Sequence, residues 1–204
     1  SHAHGQGYAD LHFLLPEVVG GLQVRKGPFD VRDGNLATAG AVAFTTVDRL
    51  ASASTEVRAG AFNATSARLL VPFGGGAGAF GGYAAGAVAR TDGPFLAPQR
   101  YRRANGFAKV TAPITAAAEF VATLSAFDAT WDASGQIPRR AVTSGTISRF
   151  GSIDPSEGGN TRRGDVSLAL SFVLGTLAPG QIARFEMMIS EDGDSLGSFL
   201  LQQR

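Results

Sequence analysis

The 204-residue sequence predicts an all-β protein built from antiparallel strands. Three observations predict it. Segments of roughly 8–13 residues alternate strictly between two residue classes, with turn residues between them. The connections alternate in turn between short and long. No stretch approaches the ~18–20 consecutive apolar residues of a transmembrane helix.

The elements follow in order. Residues 22–42, LQVRKGPFDVRDGNLATAGAV, open as a short strand, turn at Gly27-Pro28 and again at Asp33-Gly34-Asn35, then run into small apolar residues. Gly27 permits a tight backbone and Pro28 fixes φ for a turn. Arg25 and Lys26 end that strand as adjacent cations. The chain changes character near Leu50, and the period-two segments begin. A strand over 55–62 is followed by a turn at Asn63-Ala64-Thr65. In 66–73, Ala67, Leu69, Val71 and Phe73 oppose Ser66 and Arg68. Gly74 to Gly78 then make a turn, and 79–91 the next strand. A polar loop, TDGPFLAPQ, spans 91–99. In 102–112, Ala104, Gly106, Ala108, Val110 and Ala112 oppose Arg103, Asn105, Phe107, Lys109 and Thr111. A brief turn is expected at Pro113 to Thr115. In 119–128, Phe120, Ala122, Leu124 and Ala126 oppose Glu119, Val121, Thr123 and Ser125. A loop of about 30 residues, Asp132 to Thr161, comes next; loops this long are uncommon in compact domains and usually functional. In 162–174, Val166, Leu168, Leu170 and Phe172 oppose Ser167, Ala169 and Ser171. Beyond 175 the pattern weakens, although Ala183, Phe185, Met187 and Ile189 still alternate with Arg184, Glu186 and Met188.

Composition narrows the function. A net charge of +1 gives no electrostatic case for nucleic acid. With no cysteine there is no disulfide, thiolate metal site or Cys nucleophile. The three histidines lie within residues 2–12, and no catalytic constellation forms around them, so the chain reads as a non-enzyme. His2 and His4 stand two apart, yet two imidazoles without nearby carboxylates make a weak metal site. His12 reads as a packing residue. The Gly74–Gly82 run lacks the Lys-Ser/Thr ending of a phosphate loop. Asp92, Asp132, Asp154 and Glu157 lack calcium-loop spacing and read as solvated carboxylates.

Two architectures accommodate the alternation. In a soluble all-β ligand- or carbohydrate-binding module the apolar faces meet each other, and Gly/Ala-rich faces make a poor core. In a membrane barrel the apolar face meets lipid and strands need only ~9–11 residues to cross. Arg103, Asn105 and Lys109 on one face suit a wet interior, and short turns on one side with long loops on the other are the rule there.

Several stretches also carry a resemblance: SHAHGQGYADLHFLLPE (1–17), LQVRKGPFDVRDGNLATAGAVAF (22–44), TEVRAGAFNATSARLLVPFGGG (55–76), RTDGPFLAPQRYRRANGFAKV (90–110) and the region 132–172. Together they resemble part of a TonB-dependent outer-membrane receptor. The resemblance implies an all-β chain with the C-terminal part of a plug domain over 1–50. The first antiparallel strands of an incomplete transmembrane β-barrel follow over 51–204, with 175–204 matching poorly. It implies active uptake of a scarce nutrient, such as a ferric siderophore or cobalamin, across the outer membrane of a Gram-negative bacterium. The implied partners are the TonB–ExbB–ExbD energy-coupling complex, a small-molecule substrate and outer-membrane lipid, with no cofactor. It implies a plug–barrel latch at Arg25, Lys26, Gly27 and Pro28. Lys26 stands where the family usually has Arg, and a point charge offers no planar fork for a carboxylate. Ligand contacts are implied at the plug residues His2 and His4. In the long outer loop, the run Gln136-Ile137-Pro138 with Arg139 and Arg140 offers further contacts.

Overall fold

A computed structural model describes residues 11–30, 33, 39–76, 78–173, 181–190 and 195–203, the part beyond Ser171 as backbone. The chain is all-β with one short helix. After a 3-10 turn at Pro16–Val18, strands β1 (Val19–Lys26) and β2 (Gly40–Thr46) pair as an antiparallel hairpin. An eight-stranded antiparallel sheet follows: β3 (Ser54–Ala59), β4 (Thr65–Gly74), β5 (Gly81–Thr91), β6 (Tyr101–Thr115), β7 (Ala118–Asp132), β8 (Gly158–Val173), β9 (Gln181–Ser190) and β10 (Ser195–Gln203). Every strand pairs with its sequence neighbours, from β3 at one edge to β10 at the other.

The register turns the sequence alternation into two faces. One row runs Leu70, Ala85, Phe107, Ser125 and Asp165, and its neighbours carry Arg68, Lys109, Arg103 and Arg163. The opposite face carries rows such as Val71, Ala84, Ala108, Leu124 and Val166. Backbone pairing adds Ile189 of β9 to that row and Met187 to the next. Residues 11–18 and 46–50 lie over the first face, so it is the covered one. Leu15 and Val18 from the N-terminal side pack with Leu70, Tyr83 and Ala85 of the sheet, flanked by Val47, Leu50 and Phe107. The second face is open. Val57 is 78% exposed, Val88 and Leu124 54% and Leu69 53%.

Three connections differ from the sequence expectation. The first strand stops at Ala59, because Phe62 and Asn63 take φ of 57° and 59°, a turn conformation. The turn expected at Pro113–Thr115 is strand: β6 continues to Thr115 and only Ala116-Ala117 connects it to β7. Pairing between β5 and β6 ends at Thr111, so the missing N–H of Pro113 removes no bond on that side, and a register shift toward β7 absorbs the ring. The long loop shortens to 133–157 and holds the helix α1 (Arg139–Thr143). The weak pattern beyond 175 forms β9 and β10.

The two long loops share one end of the sheet and touch. Leu96 donates its N–H to the Phe150 carbonyl at 2.8 Å, Asp132 donates to Gln99 at 2.7 Å, and the Phe95 and Phe150 rings meet edge-on at 6.2 Å. The short connections 75–80 and 116–117 fall at the opposite end.

Candidate functional site

The seam between the N-terminal segments and the covered face concentrates the chain's buried polar chemistry. Lys109 sits mid-strand in β6, where alternation turns it inward. Its Nζ donates to Asp48 Oδ1 at 2.9 Å, to the Val47 carbonyl at 3.1 Å and to Thr46 Oγ1 at 3.3 Å. Its side chain is 8% exposed, whereas that of Asp48 is 95% exposed. Water therefore screens the ion pair, and the hydrogen bonds to Val47 and Thr46 carry most of the stabilisation.

Tyr83 is fully buried beside Lys109, stacked on Phe107 with ring centroids 5.8 Å apart, and its hydroxyl donates to the same Val47 carbonyl at 3.0 Å. Gly82 lets this region close up: a Cβ there would fall 2.0 Å from the Lys109 carbonyl. Asn105 Nδ2 donates to the His12 carbonyl at 2.7 Å, Arg68 pairs with Glu17, and Arg49 donates to the Gly75 and Ala79 carbonyls. The Arg163 guanidinium lies over the Phe13 ring at 4.1 Å and makes a bidentate pair with Asp165 at 2.7 and 3.0 Å.

The residues singled out in the sequence fall elsewhere. Arg25 makes a two-pronged pair with Asp33 across the β1–β2 hairpin. Gly27 takes φ of 83° and donates its N–H to Ala39 at 2.8 Å, the tight turn its sequence suggested. Lys26 and Pro28 are exposed, and Lys26 has no ion pair among the described residues. Arg25, Lys26, Gly27 and Phe29 border a hollow of ≈ 530 Å³ with Asp30 and Asp33. Glu56 pairs with Arg58 on its own strand. Gln136, Arg139 and Arg140 are exposed on the loop and α1, and His2 and His4 lie outside the described residues. His12 is exposed, its ring 6.3 Å from that of Tyr101, and Asn105 of the sheet holds its carbonyl. Among the described residues no group of three or more His, Asp or Glu could hold a metal.

Sequence reasoning placed Arg103, Asn105 and Lys109 on one face but found no partners for them. Asp48, 61 residues from Lys109, carries no local mark of the pairing. No protein-family model, curated protein or solved structure matches the chain.

The seam fixes one polypeptide layer on another through polar, partly wet contacts. Lys109→Ala removes its three hydrogen bonds and is expected to weaken N-terminal docking by about 1–3 kcal/mol. Lys26→Ala is expected to have a smaller effect on docking within this chain. Hydrogen exchange of the Val18, Val47 and Asp48 amides checks this ordering, and faster exchange in the Lys26 variant would reverse it.

Proposed function

We propose that the chain is part of a TonB-dependent outer-membrane receptor for active uptake of a scarce nutrient, such as a metal chelate or cobalamin. In this reading residues 1–50 belong to a plug and the eight-stranded sheet to the wall of a membrane barrel. Energy coupling comes from a TonB–ExbB–ExbD complex.

The observation that carries the proposal is the sheet's reversed polarity. Charged side chains in mid-sheet, Arg68, Lys109 and Asp165 among them, lie on the covered face. The open face is uncharged except in the rows nearest the long loops, which hold Arg90, Arg102, Asp128 and Arg162. Along β8 the open-face positions 164, 166, 168, 170 and 172 carry no charge and span about 26 Å of strand. A tilt of ~40° turns that into about 20 Å of height, close to the ~25 Å apolar band of outer-membrane barrels. A soluble binding module would leave Leu69, Val88 and Leu124 in water as one contiguous apolar face.

Mechanistically, substrate binds the plug apex and the outer loops. Coupled force then displaces the plug, which requires a plug–wall seam strong enough to seat it and wet enough to release. The hydrogen bonds of Lys109, Asn105 and Tyr83 fit that role. A latch at Lys26 needs a carboxylate that the described residues do not supply to it.

The experiment is topological. In the intact protein, epitope tags within 140–150 are expected to be accessible on whole cells, and tags within 75–80 only after the outer membrane is opened. The protein is expected to need detergent for extraction. The reverse tag pattern would overturn the orientation, and release without detergent would overturn the membrane assignment.

A further inference from the structure

The loop end of the open face holds an unfavourable juxtaposition. Arg90 of β5 and Arg102 of β6 are direct cross-strand partners, and both are exposed. Side chains so placed have Cβ atoms about 4.5–5.5 Å apart, and like charges there repel. Nearby arginines are neutralised: Arg100 pairs with Asp132, and Arg162 Nε donates to Asp128 Oδ2 at 3.0 Å. Neither Arg90 nor Arg102 has an ion pair among the described residues. Arg90 Nε turns to Thr65 Oγ1 at 2.9 Å, and Asp92 accepts a hydrogen bond from Asn63 Nδ2 at 3.2 Å. The full row is Thr65, Arg90, Arg102, Thr130 and Asn160, all hydrogen-bond donors and none acidic. A cleft of ≈ 500 Å³ opens beside Arg102, lined by the Arg100–Asp132 pair and by Thr130, Ser156 and Asn160 among others.

We infer that Arg90 and Arg102 together hold a phosphate on the headgroup of an anionic membrane lipid. Two guanidinium groups at this spacing bracket one phosphate, each through paired N–H donors, and the anion removes their mutual repulsion. Thr130 and Asn160 extend the donor row, and the cleft takes the remainder of the headgroup. The occupant is a lipid because apolar surface, where acyl chains lie, adjoins the two arginines. The next row sets Ala67, Val88 and Ala104 directly beside them before its Asp128–Arg162 pair, and the row beyond, Leu69, Gly86, Gly106, Ala126 and Gly164, carries no charge. The inference rests on the membrane reading above and adds the chemistry of the lipid at that edge.

The test uses the intact protein isolated in a non-ionic detergent, as wild type, Arg90→Gln/Arg102→Gln, and an Arg58→Gln control. Each is mixed with lipid A, a bisphosphorylated glycolipid, or with its dephosphorylated form, and bound lipid is counted by native mass spectrometry. Wild type and the control are expected to retain the phosphorylated lipid at least about tenfold better than the double variant. The dephosphorylated lipid is expected to bind all three weakly and equally, and millimolar inorganic phosphate to displace nothing. Equal retention by wild type and the double variant overturns the inference. Displacement by inorganic phosphate overturns the lipid assignment in favour of a free-anion site. Failure of the membrane reading is distinguishable, because that protein would leave the cell envelope without detergent before any lipid is added.

Discussion

Leu124→Arg is expected to destabilise the folded protein in a bilayer by about 2–4 kcal/mol, the range for a cation near mid-membrane on a barrel's lipid face. Leu124 sits in a central row of the open face, between Ala108 and Val166, and is 54% exposed. In water the same change at so exposed a site would fall within about 0.5 kcal/mol of neutral. The variant therefore separates a lipid-facing wall from a soluble module by size of effect. Ser125→Arg would be uninformative, because Ser125 Oγ donates to Asp165 Oδ2 at 3.0 Å. Ser171→Arg, on the covered face, is the better comparison and is expected to be mild, while Leu170→Arg should follow Leu124→Arg. Folding equilibria in phospholipid vesicles measure all three. Equal losses at Ser171 and Leu124 would mean burial on both faces and would sink the barrel reading.

Tyr83→Ala is expected to lower stability by about 3–5 kcal/mol, because it empties a fully enclosed aromatic site. Leu15, Val18 and Leu70 would lose their common neighbour and Phe107 its stacking partner. The ring links sheet and N-terminal segment, so the loss should appear as release of residues 11–50 rather than as uniform softening. Tyr83→Phe keeps the ring and loses only the hydroxyl bond to Val47, whose carbonyl still accepts from Lys109. About 1 kcal/mol is expected there. Limited proteolysis of the detergent-solubilised intact protein should cut Tyr83→Ala early within 11–50 and leave Tyr83→Phe close to wild type. Identical protection of Tyr83→Ala and wild type would remove the ring from the docking core.

The faces of the sheet were legible because alternation is a local property. Leu69 and Val71 against Arg68, or Ala108 against Lys109, can be sorted from a few residues without knowing the partner strand. What covers the charged face was not legible. The contacts Lys109–Asp48 and Asn105–His12 join residues 61 and 93 apart, and neither Asp48 nor the His12 carbonyl looks special in sequence. Paired cations beside Gly-Pro make Arg25 and Lys26 stand out in the sequence, yet Arg25 is spent on Asp33 within its own hairpin. Pro113 misled for a related reason. A proline usually ends a strand, and only the finishing point of β5 shows that this one breaks no ladder.

The two-residue link between β6 and β7 has a consequence for how the chain assembles. Thirteen cross-strand pairs follow once Ala116-Ala117 turns, whereas the fifteen pairs of β7 with β8 must wait until residues 133–157 have closed on themselves. With closure entropy growing as (3/2)RT ln n, bridging about 25 residues rather than 2 adds roughly 2 kcal/mol to the initial barrier. The β6–β7 hairpin is thus the natural nucleus, presenting one edge to β5 and the other to β8. Growth outward by single-strand addition keeps each new contact close in sequence to one already made, the low-contact-order route that favours rapid assembly. The long loop enters that route as a kinetic pause, so shortening 133–157 would speed β8 addition while leaving the hairpin that precedes it untouched.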